Sequence, residues 1–394
     1  MSSPASLPSL PSVSKISTYV TRILGQNPGK FTLQGTNTYL IHHPTSPSLI
    51  LLDTAQSFPS YLPHLRSSIL AHSIQPCYLT DIILSHYHLD HVDGLRSVLE
   101  ELGNIGAVGE KGVRIWKFRC DGDEEEGKDL EIEEKLEGIE EGLIDTTELG
   151  EEARLVKDGG KIRALQDGQK FSITGLQDGQ EEDGVELEVV HTPGHTTDSI
   201  SILLRTTSAP PTSELSKPLA LFSFDTVLGH GTAVFSSLST YLSSLTSLIS
   251  LLSSSSSSFP SPVPPATPSI PIYPGHGSVI EDGLSKLREY RQHRLDREGQ
   301  VVDALKSRKA EKVTASSLTE SIYGSTIPES LKPAATRGLL LHLEKLVLDG
   351  QVARHNRGEE GGQEELKVDW DKLGVSAKDM PKGWDDKWSW IGPN

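Results

Sequence analysis

Three histidines and one aspartate occur together in the segment His86-Tyr87-His88-Leu89-Asp90-His91. They follow the largely apolar run 80–85, which predicts a β-strand that ends at the motif. Side chains two residues apart lie on the same side of an extended chain, so His86 and His88 can hold one ion. Asp90 and His91 can hold a second ion where the chain turns into the next helix. Imidazole and carboxylate suit zinc, with iron or manganese as alternatives. The motif predicts a metal site rather than a histidine-rich surface loop.

Further candidate ligands stand where later predicted strands end. His195 follows a short strand and the turn Pro193-Gly194, and Asp225 ends the apolar run 219–224. His276 again follows a strand and a Pro-Gly turn. Each of these positions alone is typical of an ordinary turn. Taken in sequence order with the first motif, their occurrence by coincidence is improbable, and they predict further ligands at strand ends.

Taken together, these residues resemble the metallo-β-lactamase superfamily, whose α+β fold is an αββα sandwich with metals at one edge. The resemblance implies two Zn²⁺ ions, with iron or manganese as alternatives, and a hydroxide that bridges the metals. It places Asp90 and Asp225 at the catalytic centre. It assigns the ligands as follows: His86, His88 and His195 to the first metal, Asp90, His91 and His276 to the second, and Asp225 to both.

Asp53, in Leu51-Leu52-Asp53-Thr54, has two interpretations. The resemblance implies a residue that supports the metal site from behind the ligands, where such partners fix the orientation and basicity of imidazoles. The alternative is an Asx turn that closes the strand over 49–52. The sequence leaves both open.

A narrower resemblance comes from residues 22–40 and from Val227–Phe235, which are similar to the lactamase-β-2 group. That group includes animal endoribonucleases and fungal lactamase-like thioesterases that release polyketides from carrier proteins. The resemblance covers about residues 15–355. Together with the composition of the two unmatched tails, it predicts four regions. These are a disordered tail over 1–14, a metallo-β-lactamase domain over 15–283, a helical, winged-helix-like module over 284–355, and a tryptophan-containing tail over 356–394.

Three positions depart from the lactamase-β-2 pattern. Ser199 stands where a further histidine is usual, which removes a polar group that would bind substrate or donate a proton. Phe224 replaces a small residue before Asp225, and it is expected to narrow or reshape the site. Val92-Asp93 follows the first motif where a small residue and a glycine are usual, and Asp93 adds negative charge near the metals. Because none of the seven ligands is affected, these departures bear on substrate choice.

The chain has a formal net charge of −17, and much of it lies in one segment. Residues 121–152 contain 16 acidic residues and only two bases, Lys128 and Lys135. Like charges at this density oppose compact packing, so we expect a solvated, partly disordered acidic insert over 121–157. The alternative is a gate that repels polyanions or docks on a basic partner. A second insert, 253–269, is rich in Ser and Pro and is typical of a flexible linker.

The C-terminal third is predicted to be helical. A helix from Leu284 toward Lys309 has a local basic excess, but residues 313–355 hold four bases and four acids. This balance is poor for nucleic-acid binding, which favours a packing or homodimerisation module. Four of the five tryptophans follow, namely Trp370, Trp384, Trp388 and Trp390, so the tail is expected to dock on the body or cover part of the cleft.

The basicity of the leaving group helps to choose between a thioester and RNA as the substrate. A thiolate, from a thiol of pKa about 8.5, departs with little acid assistance, whereas a ribose alkoxide must be protonated or metal-bound. The chain lacks a basic track outside 288–309, so we expect hydrolysis of an acyl thioester, carried by an acyl carrier protein or a small thiol. Single-stranded RNA is the runner-up substrate. A mononuclear iron oxygenase and a non-catalytic scaffold are further alternatives.

Composition fits a cytoplasmic enzyme. The only cysteines are Cys77 and Cys120, which implies no disulfide framework and a reducing compartment. The most apolar stretch, 238–252, has the spacing of an amphipathic helix rather than a membrane span, so no membrane partner is expected. The N-terminal residues lack a secretory pattern, and a mitochondrial address is the alternative because no acidic residue precedes Asp53.

Overall fold

The computed structural model describes residues 7–120, 127–147, 149–156, 159–177, 180–207, 218–254, 269–308, 311–355 and 386–392. The chain divides into two compact units. The first comprises Met1–Phe235 with Ser243–Tyr290, and the second comprises Ser236–Leu242 with Arg291–Asn394.

The first unit contains two β-sheets. Seven strands form the first sheet in the order β1 to β7: β1 (Val13–Lys15), β2 (Val20–Leu24), β3 (Asn37–His42), β4 (Ser48–Leu52), β5 (Tyr78–Leu84), β6 (Arg114–Lys117) and β7 (Arg163–Ala164). Five strands form the second sheet in the order β12-β11-β10-β9-β8: β8 (Lys170–Gln177), β9 (Gln180–His191), β10 (Ile200–Thr206), β11 (Ala220–Phe224) and β12 (Ile272–Pro274).

Strand direction brings the candidate ligands to one edge. β4 and β5 are parallel, and so are β11 and β12. The residue after β4 is Asp53, and the first histidine motif begins just after β5. In the same way Asp225 follows β11 and His276 follows β12. The carboxyl ends of neighbouring parallel strands lie together, so chain direction alone gathers residues far apart in sequence.

In the described residues, the α-helices are α1 (Leu62–Leu70), α2 (Leu89–Val92), α3 (Leu95–Asn104), α4 (Lys128–Glu134), α5 (Leu238–Ser254), α6 (Gly283–Ser307), α7 (Ala315–Tyr323) and α8 (Lys332–Leu348). α5 matches the predicted amphipathic helix, although Leu248 is fully buried in place of the expected Ile249. No helix within the described ranges is long and apolar enough to cross a membrane.

Alternation along the strands separates two apolar cores. Leu49 and Leu51 of β4 point to a core shared with α1, α3 and α4, whereas Ile50 and Leu52 point to a core between the two sheets. Successive side chains of a strand face opposite sides, so one buried strand can serve both cores. Each fully buried Leu or Ile stabilises the fold by about 1.5–3 kcal/mol. These layers confirm the predicted α+β metallo-β-lactamase sandwich.

The second unit is built around its own apolar core. α7 and α8 pack with a three-stranded antiparallel sheet in the order β13-β15-β14: β13 (Val313–Thr314), β14 (Val352–His355) and β15 (Lys387–Trp390). Two helices with a small antiparallel sheet are a winged-helix arrangement, as predicted.

Several predicted boundaries differ from the structure. The tail predicted over 1–14 overlaps β1, in which Val13 pairs with Ile23 of β2. The tail predicted over 356–394 includes β15, whose Trp388 is buried in the core of the second unit, so this part belongs to the winged-helix module. Residues 1–6, 255–268, Trp370 and Trp384 lie outside the described residues.

Where it is described, the acidic insert over 121–157 includes helix α4, and most of its acidic side chains are exposed as expected, but several of its apolar side chains are buried. Ile132 and Leu136 are buried in the core that includes α1 and α3. Ile132 lies on α4 and Leu136 in the turn that follows it, where the Leu136 N–H donates to the carbonyl oxygen of Glu133, so both apolar side chains are buried despite the surrounding charge. Residues 121–126, 148, 157 and 158 are not described.

Candidate metal centre

The first predicted metal set is brought together. His86 Nε2 lies 2.9 Å from His88 Nδ1, and His195 Nε2 lies 3.0 Å from the same His88 nitrogen. Two nitrogens that bind one tetrahedral zinc at about 2.05 Å are about 3.3 Å apart, so these lone pairs converge on one point at nearly the required spacing. His195 Nδ1 lies 2.7 Å from the carbonyl oxygen of Val234, which fixes the imidazole.

The second predicted set also converges. His91 Nε2 lies 3.3 Å from His276 Nε2, and Asp90 Oδ2 lies 3.1 Å from His276 Nε2 and 3.6 Å from His91 Nε2. The short helix α2 carries both Asp90 and His91, while His276 arrives from the far end of the chain after β12. These two nitrogens and one carboxylate oxygen form a second candidate cation-binding site.

Asp225 lies between the two sets. Its Oδ1 is 3.5 Å from His91 Nε2, and its Oδ2 is 3.4 Å from His276 Nε2 and 3.7 Å from His195 Nε2. Oδ1 is buried and accepts no hydrogen bond among the described residues. A buried carboxylate oxygen without a donor is costly unless a cation compensates it. The donor set and this atom therefore fit two metal ions that share Asp225.

The protonation of the cluster reflects its charge. Burial, followed by the neighbouring imidazoles, holds the pKa of His86 well below its usual value and lowers that of His88 to about 4. Burial opposes ionisation of Asp90, but His91 and His276 together outweigh it and lower the pKa of Asp90 to about 2. Burial also disfavours charge on His276, yet Asp225 raises its pKa to about 9. Without metal, protons on histidines offset the carboxylates, and a cation that binds there must displace them.

Asp53 contacts a ligand from behind. Its Oδ2 lies 2.7 Å from His91 Nδ1, and both side chains are fully buried. Ser85 donates its backbone N–H to Oδ1 at 2.7 Å and its hydroxyl to Oδ2 at 2.8 Å. A carboxylate can only accept, so it holds the His91 proton on Nδ1 and leaves the Nε2 lone pair facing the cluster. This geometry favours the supporting role over the Asx turn.

Residues that sequence reasoning missed hold the His276 turn. Asn37 Nδ2 donates to the carbonyl oxygens of Pro274 and Gly277, at 2.8 and 2.9 Å. A Cβ at Gly275 would overlap Asp225 Oδ1, so the turn admits no side chain there. The run Thr36-Asn37-Thr38 carries the only sequence signal, because a buried Asn at the start of a strand needs backbone partners.

The three departures do not narrow the cleft. Ser199 is buried and accepts from the backbone N–H of Thr196 at 3.1 Å, so it serves the turn that carries His195. The expectation that Phe224 reshapes the site is wrong, because its side chain is buried in the core between the sheets. The charge of Asp93 is offset by Lys135, whose Nζ lies 2.7 Å away.

Comparisons with known proteins agree with this fold. A family model described as the metallo-beta-lactamase superfamily matches residues 32–208, and one described as the beta-lactamase associated winged helix domain matches residues 314–361. The chain belongs to the metallo-beta-lactamase superfamily, whose members are generally hydrolytic enzymes.

Its relatives include a "Beta-lactamase-like protein 2 homolog" of Caenorhabditis elegans, 31% identical over 86% of this chain and 88% of that protein. The "Lactamase-like protein adaB" of Aspergillus niger is 30% identical over 88% of this chain and 86% of that protein. Among solved structures, a beta-lactamase domain protein from Burkholderia ambifaria has a TM-score of 0.58 at 16% identity, over 97% of this chain and 95% of that one. The last likeness shows the fold alone.

Proposed function

We propose that the chain is a dinuclear zinc hydrolase that cleaves acyl thioesters. Two zinc ions held by the seven ligands would lower the pKa of a water toward neutrality, which supplies a nucleophile, and would stabilise negative charge on the substrate oxygen. Asp53 keeps His91 in the tautomer that a metal needs. Asn37 and Gly275 hold the turn that presents His276. No serine or cysteine nucleophile is required.

The observation that carries the choice of substrate is a cavity with exposed apolar surface, whose walls are linked by hydrogen bonds to Asp90 and His91 of the second metal set. A cavity of about 360 Å³ is lined by residues 26–32, Gln56 and Phe58. Phe31 and Phe58 remain 72% and 42% exposed, so apolar surface is available to a ligand. The volume falls within the range of small-molecule sites, roughly 300–1,000 Å³.

Hydrogen bonds tie both walls of this cavity to the metal ligands. Asn27 Nδ2 donates to Thr36 Oγ1 at 3.0 Å, and the Thr36 hydroxyl reaches Asp90 Oδ2 at 3.5 Å. On the other wall, Gln56 and Phe58 closely follow Thr54, whose backbone N–H donates to the His91 carbonyl oxygen at 2.9 Å. An acyl chain seated between Phe31 and Phe58 would place its thioester near the metals.

The same cavity disfavours RNA as the substrate. Lys30 is the only cationic side chain in its lining, and its Nζ lies 5.6 Å from the centre of the Phe31 ring. A nucleic acid draws most of its affinity from several phosphate contacts, which one lysine does not provide. The thiolate leaving group adds to this preference, because it departs without a strong acid. An acyl carrier protein or a small thiol would carry the acyl group.

A substrate panel tests the proposal. Protein purified without added metal is analysed for metal, with two zinc ions per chain expected, and is then assayed on acetyl, hexanoyl and octanoyl thioesters, a glutathione thioester and single-stranded RNA. We expect kcat/KM to rise with acyl length. Phe31→Ala should lower kcat/KM roughly tenfold for the octanoyl thioester but little for the acetyl thioester, since an aromatic ring that a bound acyl chain covers contributes about 1.5–3 kcal/mol.

Leu70→Ala is the matched control, because Leu70 is an exposed apolar residue on α1 outside the cavity lining. It should leave the whole length series unchanged. RNA cleavage without thioester turnover would refute the proposed substrate, and iron at one ion per chain would refute the dinuclear zinc chemistry.

A further inference from the structure

The described part of the acidic segment 121–157 reaches two of the loops that carry candidate metal ligands. One contact runs through Asp129 of α4 toward the turn that holds His195, and the other runs from Lys135 toward the loop that holds His91. Both side chains belong to the segment that charge density alone would leave in solvent.

The first contact is a buried ion network. Lys117, at the end of β6, is fully buried, and its Nζ lies 2.7 Å from Asp129 Oδ1 and 2.7 Å from Asp198 Oδ2. Asp198 is also fully buried and stands three residues after His195. Asp129 Oδ2 additionally accepts the backbone N–H of Cys120 at 3.0 Å. A buried ammonium needs its anionic partners, so Asp129 helps to keep Lys117 where it pairs with Asp198.

The second contact reaches the loop that carries Asp90 and His91. Lys135 Nζ is 2.7 Å from Asp93 Oδ1, and Asp93 stands two residues after His91. The other Asp93 oxygen accepts the backbone N–H of Ser57 at 3.2 Å. Arg96 donates to the carbonyl oxygen of Glu137 at 2.6 Å, which holds the chain just beyond Lys135 against α3.

We propose that Asp129 and Lys135 are positioning residues for the metal centre, each acting on a different metal set. Asp129 acts through Lys117 and Asp198 on the set formed by His86, His88 and His195. Lys135 acts through Asp93 on the set formed by Asp90, His91 and His276. The acidic segment thereby becomes part of the metal-binding architecture. This inference rests on the metal site of the proposed function and is independent of the thioester substrate.

Zinc affinity measured one set at a time tests this division. His276→Ala disrupts the second set and leaves the first intact, and His88→Ala does the converse. Zinc binding is followed by chelator competition in each background, with and without Asp129→Asn or Lys135→Met. We expect Asp129→Asn to weaken zinc binding roughly tenfold or more in the His276→Ala background and less than about threefold in the other, with Lys135→Met giving the reverse pattern.

Lys128→Met is the matched control. Lys128 lies on the same helix α4, and its pair with Glu131 at 3.0 Å is exposed, so its loss should change neither affinity. Equal losses at both sets for each variant would show a purely structural role and overturn the proposal, and so would unchanged affinities. Should Asp129→Asn fail to fold, Asp93→Asn tests the second contact from its other partner. The readout is zinc binding, so failure to hydrolyse thioesters would refute the proposed substrate without touching this result.

Discussion

Replacement of Asp53 by asparagine should weaken the second metal set while keeping the side chain's shape. The carboxylate accepts from His91 Nδ1 at 2.7 Å and holds the imidazole proton on that nitrogen. An asparagine can keep its oxygen toward the Ser85 N–H and turn its NH₂ toward His91. The His91 proton then moves to Nε2, the atom that faces Asp90, Asp225 and His276. A protonated Nε2 has no lone pair for a metal.

The size of the effect follows from the contact that is lost. A hydrogen bond to a charged group contributes about 1.5–3 kcal/mol, and supporting partners of metal ligands change affinity roughly ten- to hundredfold. The assay is zinc titration by chelator competition, together with zinc content after dialysis. We expect one zinc per chain to become loosely bound while the other is retained.

Asp81→Asn provides the matched control. Asp81 is an equally buried carboxylate on β5, but it pairs with Arg114 and Trp116 at 2.7 Å each and contacts no candidate ligand. This variant should lower the free energy of unfolding without altering zinc affinity. Wild-type affinity in Asp53→Asn, or an equal loss in Asp81→Asn, would refute the tautomer argument.

Three further outcomes are expected. His88→Ala and Asp225→Ala should each abolish hydrolysis, because each removes a candidate metal ligand. Their circular dichroism spectra should stay those of the wild type, because both residues lie at the rim of an already folded sandwich. Full activity in either variant would contradict the ligand assignment. In the metal-free protein, the pKa of His276 is raised to about 9, so the protonated imidazole stabilises the fold. This contribution is fully present below about pH 6.5 and is lost as the pH rises through 9. Thermal denaturation should therefore show Tm falling over this range without zinc and staying level with zinc, and parallel curves would contradict the linkage. Trp388→Ala, at a residue 1% exposed, should lower the free energy of unfolding of the winged-helix module by about 3–5 kcal/mol in urea titrations, and a loss below about 1 kcal/mol would contradict its place in the core.

The ligands could be predicted because their signals are local. His86 to His91 form one short stretch, and His195, Asp225 and His276 each follow a recognisable strand. Parallel pairing brings together the carboxyl ends of β4 and β5 and those of β11 and β12, whereas His195 follows β9, which is antiparallel to its neighbours. Sequence alone therefore reached the fold and the candidate ligands, whereas the substrate depends on a cavity whose walls come from separate loops.

Apart from Asp53, the supporting residues could not be predicted, because their partners are distant in sequence. The sequence around Lys117 does not indicate a buried ion pair, because its partner Asp198 lies 81 residues later in the chain. Phe224 was misjudged since its position next to a ligand says nothing about which way its side chain points. In the acidic segment, the apolar spacing of Ile132 and Leu136 decided the outcome, while the abundance of like charge suggested the opposite.

The position of β15 affects the order in which the two units can fold during synthesis. This strand lies between β13 and β14, yet it follows β14 in the chain by more than thirty residues. As a ribosome releases the chain, α7, α8 and β14 emerge with the middle of their sheet still missing and with the binding place for Trp388 open. Closing that gap requires a distant segment to return, which is slow in comparison with local pairing. A nascent chain halted after His355 would therefore contain every strand of the first unit and all the candidate metal ligands, but would lack the central strand of the winged-helix sheet.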